Sequence, residues 1–160
     1  MKIPRVLFAI LACSIFICSC DSKLERERNK WRETFQNISN SYFATDLSEK
    51  KQEALNRSLA LLDEADGKRL FPNSPDFLDG NRAIIYLRLC AVAYRHDDNL
   101  RANIYREKAA FCAARINLEM LGGIDLANPS NLSVIVDGIE AVDRELRKQK
   151  DGARKQLVGH

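Results

Sequence analysis

Two histidines and five cysteines are the chain's main resources for metal binding or nucleophilic attack. His96 stands in the polar run His96-Asp97-Asp98-Asn99, and His160 is the last residue. Neither lies at metal-ligand spacing from a cysteine or from the other histidine. An ion held by His96, Asp97 and Asp98 is chemically conceivable, but a solvated turn explains the same run. The acidic pairs Asp63-Glu64 and Asp97-Asp98 read as solvated faces rather than proton-transfer dyads. Gly122-Gly123 reads as a helix stop and not as a phosphate cradle, and no serine stands in a nucleophile-elbow context. No catalytic residue, no metal ligand and no cofactor is assigned, and an enzyme is not expected.

The thiols divide into two groups. Cys90 and Cys112 fall in apolar helical runs, where a free cysteine behaves as a small hydrophobe. If a turn is centred near residue 97, the two are offset by eight residues along antiparallel helices, roughly 12 Å. A disulfide needs Cα atoms within about 7 Å, so a bridge across that hairpin is disfavoured. A thiol catalyst would need an activating base, and none is evident.

Cys13, Cys18 and Cys20 belong to a different context. Lys2 and Arg5 precede an apolar run from Val6 to Ile17. At roughly 12 residues that run is short for a membrane span, which needs about 20, and it suits the apolar core of a signal peptide. Ile17-Cys18-Ser19-Cys20 follows directly. This resembles the lipobox of bacterial lipoproteins: a branched apolar residue, two small ones, then the cysteine that takes lipid. Cys18 is an unusual residue at its position. Ile10-Leu11-Ala12-Cys13 has a similar order but leaves too short an apolar run before it. The resemblance implies cleavage between Ser19 and Cys20, with residues 1–19 removed and lipidation on Cys20. It also implies two or three acyl chains, enough for stable anchoring where one is marginal. A membrane-tethered protein facing the periplasm is then expected, in a compartment that permits disulfides. Asp21 resembles the enterobacterial signal for staying at the inner membrane, and the outer membrane remains open.

Without Lys2 and Arg5, the 25 basic residues become 23, against 22 acidic ones. Such a balance gives no concentrated basic face for nucleic acid. The run Arg144, Arg147, Lys148, Lys150, Arg154 and Lys155 could touch anionic headgroups, but it also suits a solvated helix end.

Apolar periodicity predicts an all-α fold of about five antiparallel helices. Residues 20–23 read as a lipidated tether, 24–150 as a helical domain and 151–160 as a flexible tail. Leu24, Trp31, Phe35, Ile38 and Tyr42 share one face of a first helix over 24–43. Asp46 and Glu49 have capping-box spacing before a second helix, which Gly67 ends near Asp66. Ser74-Pro75 opens a third helix over 75–95. Its apolar residues nearly surround the axis, with Arg82, Arg88 and Arg95 as a polar stripe, so it should be central. A fourth helix over 99–121 carries Leu100, Ile104, Ala109, Phe111, Ala113 and Ile116. A loop holds Pro129, and a fifth helix covers 131–148.

The third and fourth helices resemble a tetratricopeptide-type hairpin. Tyr86, Leu89, Cys90, Ala102 and Ala109 match its large and small positions. Ala93, Arg106 and Ala114 depart from it. The resemblance implies a TPR-like array or a plain helical bundle, with a protein as partner and no small-molecule substrate. A tethered, non-enzymatic adaptor of envelope assembly, secretion or conjugation machinery is the expected role. The alternative is a periplasmic inhibitor or immunity lipoprotein that neutralises a toxin or enzyme. Trp31, Tyr42, Tyr86 and Tyr105 are the candidate partner-binding residues, expected to line one groove.

Overall fold

The structure, a computed structural model, describes residues 22–158 except Glu119 and Gly122. The leader, Ser19, Cys20, Asp21 and His160 lie outside the described residues. The described helices are α1 (Ser22–Phe43), α2 (Ser48–Gly67), α3 (Pro75–Arg95), α4 (Asn99–Arg115) and α5 (Leu132–Val158). Two-residue strands β1 (Met120–Leu121) and β2 (Ile124–Asp125) pair antiparallel between α4 and α5, followed by a 3-10 turn at Pro129–Asn131. The all-α expectation holds. No helix of the described chain is long and apolar enough to cross a membrane.

Consecutive helices pair as hairpins, α1 with α2 and α3 with α4, and α5 returns to lie on α3. The nearly all-round apolarity of α3 has a direct cause, because the helix serves two cores. Leu78, Ile85 and Leu89 pack with Trp31, Ile38, Leu55 and Leu62 from α1 and α2. On its other side Leu87, Cys90 and Ala91 pack with Ala109 and Ala113 of α4 and Ile135, Val136 and Ile139 of α5. Its arginine stripe forms ion pairs with both neighbouring helices. Arg82 reaches Asp63 and Asp66 of α2 at 2.9 and 3.0 Å, and Arg88 reaches Asp143 of α5 at 2.7 Å. Arg95 takes Asp137 and Glu140, also of α5, at 3.0 and 2.8 Å.

Three helices end the same way. Arg69, Asp97 and Asn117 each adopt positive φ, at 50, 59 and 54°. After each, the next amide donates five residues back: Leu70 to Ala65, Asp98 to Ala93 and Leu118 to Ala113. That is the Schellman closure, which satisfies carbonyls the helix leaves open. It corrects two expected stops. Gly67 is still helical, and Arg69 makes the turn. The fourth helix ends at Arg115 instead of 121, because Asn117, whose side chain tolerates the left-handed region, reverses the chain first.

Other boundaries also moved. The expected capping box does not form: Leu47 stands at the N-cap position of α2 with no side-chain cap, and the Asp46 carboxylate instead takes Arg147 at 2.7 Å. Asp98 does cap α4, accepting from the Arg101 amide at 3.0 Å. Residues 151–158, expected as a flexible tail, continue α5. Arg106, which departs from the repeat pattern, is buried. Its guanidinium donates to the Leu126 carbonyl at 2.9 Å and the Ala127 carbonyl at 2.5 Å, fixing the loop before α5 onto α4. A large apolar residue there would leave those carbonyls without these donors.

Candidate functional site

The four aromatic candidates do not share one groove. Trp31 is only 5% exposed. Its ring stacks on Phe35 and meets the edges of Phe71 and Phe77, while its N–H donates to the Leu61 carbonyl at 2.8 Å. It is a core residue of the α1–α2 hairpin. Tyr86 and Tyr105 are half-buried and stack on each other at 6.4 Å between α3 and α4. Tyr42 lines a cleft beside α5, and there it works as a strut.

The Tyr42 hydroxyl donates to Asp143 Oδ2 at 2.6 Å. Asp143 also accepts from Arg88 Nε and Nη2 at 2.9 and 2.7 Å, a forked arrangement with geometric specificity. The Arg88 guanidinium lies 5.1 Å from both the Tyr42 and Phe43 ring centres. Burial, followed by the adjacent Asp143 carboxylate, pushes the Tyr42 phenol well above its ordinary range. It remains a hydroxyl donor to Asp143. This strut joins the end of α1 to α5 across α3.

On one side of the strut a polar cleft of about 450 Å³ opens between the start of α2, α3 and α5. Lys51, Arg95, Arg144, Arg147, Glu140 and Asp151 are among its lining residues. Several of its basic residues are already engaged. Arg147 holds Asp46, Arg144 approaches Glu140 at 3.9 Å, and Lys148 approaches Glu145 at 3.7 Å. The bond from Arg95 holds the Glu140 carboxyl below its usual range. The basic run thus forms internal pairs on α5 and a link to the α1–α2 connection. The side chains of Arg154 and Lys155 lie outside the description. On the other side of the strut is an apolar cavity of about 240 Å³.

The least expected surface is on α4. Its buried face consists of Ala102, Arg106, Ala109, Cys112 and Ala113. Small residues there let α4 approach α3 closely, while the large apolar residues point away. Leu100 is 77% exposed, Ile104 43% and Phe111 67%. At spacings of four and seven they share one helix face opposite Ala109, a stripe about 16 Å long. In the sequence these three residues blend into the apolar pattern of the fourth helix, and periodicity alone does not separate them from its small-residue face.

Cys90 and Cys112 are both free and buried. Burial pushes the Cys90 thiol up to about 11 and raises that of Cys112. Both should therefore resist alkylation at mildly alkaline pH while the chain is folded, and react promptly in denaturant. Peptide mapping after iodoacetamide treatment checks this; rapid native modification of Cys90 would contradict its burial. His96 is exposed in the α3–α4 turn and lines a shallow pocket with Asp98, Arg101 and Tyr105. Comparison with protein-family models, with curated proteins and with solved structures finds no match to this chain.

Proposed function

We propose that this protein is a membrane-tethered lipoprotein, anchored through Cys20, that works as a non-enzymatic protein-binding module of the bacterial envelope. The observation that carries the binding role is the exposed Leu100–Ile104–Phe111 stripe on α4. Isolated exposed apolar residues are ordinary, but three large ones aligned on one helix face form the kind of patch that partners cover. An amphipathic partner helix, or the groove of a partner, suits a stripe of this length and spacing. The tetratricopeptide-like reading draws on the same helix. Ala102 and Ala109, at the expected small positions, are fully buried against α3, and neighbouring helices supply the cover an isolated repeat needs. For the anchor, support comes from the order of charge, short apolar run and Ile17-Cys18-Ser19-Cys20.

Crosslinking from native membranes tests both halves. The expected result is one defined partner, weakened by Cys20→Ala and lost with Phe111→Glu. The Phe111→Glu chain should keep its melting behaviour, since a solvent-facing change costs within about 0.5 kcal/mol. If Cys20→Ala left membrane residence and partners unchanged, the lipoprotein reading would be wrong. If Phe111→Glu kept the partner, the α4 stripe would not be the binding surface.

A further inference from the structure

The apolar cavity beside the strut is separate from the α4 stripe and has its own chemistry. All five helices and the loop after α4 contribute to its lining, including Ile84, Leu87, Leu126, Ile139, Val142 and Leu146. Two of its polar wall residues are satisfied within their own helices. Ser58 donates to the Ala54 carbonyl of its own helix at 3.0 Å, and Asn81 donates to the Phe77 carbonyl at 2.7 Å. Among the described residues no buried side-chain polar atom lacks a partner. An apolar void of about 150 Å³ already accepts a benzene ring. At about 240 Å³ this cavity is larger.

Two cations stand in the lining, Arg88 and Lys150, and Arg88 is already paired with Asp143. Lys150 Nζ donates to Asn40 Oδ1 at 3.0 Å and lies 4.4 Å from the Phe43 ring centre. It makes no ion pair with a described carboxylate, whereas Arg88 and Arg147 nearby are both paired. Burial, and then the charge of Arg88, lower the Lys150 pKa, so an incoming anion would relieve an existing electrostatic cost.

We propose that this cavity binds the hydrocarbon tail of a fatty acid, with the carboxylate held by Lys150. The slender tail matches the mainly apolar lining, and the single negative head matches Lys150, the cation of that lining without an ion pair to a described carboxylate. The site is independent of the protein-binding surface on α4, and either assignment can fail alone.

Photolabelling of the full chain in its native membranes tests the site, with a diazirine-bearing decanoate as probe and peptide mapping as readout. The label should concentrate on peptides containing Ile84 and Val142. Lys150→Glu should reduce it about tenfold, the loss of one charge-assisted hydrogen bond, and Lys150→Arg should retain it. Val142→Trp should fill the cavity and abolish labelling. Labelling spread over the surface, or unchanged by both Lys150→Glu and Val142→Trp, overturns the proposal. Equal labelling of the cavity by the matching decanol probe also overturns it, because the carboxylate would then contribute nothing. Should Val142→Trp fail to fold, Lys150→Glu decides alone, as its side chain is only partly buried.

Discussion

Trp31→Ala lowers the stability of the fold by about 3–5 kcal/mol, the range for removing a buried aromatic ring and leaving a cavity. Trp31 touches three other rings and anchors α1 to α2, so little of the space can close. Urea denaturation followed by far-ultraviolet circular dichroism measures the loss; tryptophan fluorescence disappears with the chain's single tryptophan. Trp31→Phe separates the two contributions. It keeps a ring in the cluster and removes the bond to Leu61, worth about 1 kcal/mol. A loss below about 0.5 kcal/mol for Trp31→Ala would place this residue at the surface.

Asp143→Ala is expected to cost about 3 kcal/mol, the lower end for breaking a buried ion pair. The lower end applies because the side chains of Arg88 and Asp143 retain 13% and 16% of their exposure, so water screens the pair in part. The damage comes chiefly from leaving Arg88 charged and unpaired against two aromatic rings, with Tyr42 losing its acceptor as well. Arg88→Met combined with Asp143→Leu should therefore be more stable than Asp143→Ala alone. Chemical denaturation of Arg88→Met, Asp143→Leu and the double variant closes the cycle. A double variant as unstable as the sum of the singles would mean that the pair carries no coupling.

The helices were legible where several local signals agreed. α3 begins and ends where the sequence reading placed it, because Pro75 suits a first turn and the Asp97-Asp98 break follows an uninterrupted apolar pattern. α4 was harder at both levels. Its terminus depends on Asn117 adopting a left-handed conformation, which residue type permits but does not require. Its orientation depends on how closely α3 approaches. Hydrophobicity favours burying Leu100, Ile104 and Phe111, yet tertiary packing selects the alanine face. The match of Ala102 and Ala109 to small repeat positions was the signal that pointed the right way. Trp31 misled for a related reason: a large aromatic suits a partner surface or a core equally well, and only Phe71 and Phe77, brought in from a later segment, decide between them. The strut was invisible in the sequence, since Tyr42 and Asp143 are 101 residues apart and no local pattern joins them. Asp46 was read as a cap because its other partner, Arg147, is equally remote.

The contacts between the first and last helices also govern how the molecule opens. A linear stack of hairpins can fray from either end, since each unit holds only its neighbours. Here Tyr42 grips Asp143, Asp46 grips Arg147 and Asn40 accepts from Lys150, so α1 and the α1–α2 connection are tied to α5 at three points. Releasing α5 loosens α1, and releasing α1 loosens α5. Helices α1 and α5 thus form one cooperative unit, and their amides should exchange with solvent at similar rates despite their separation in sequence.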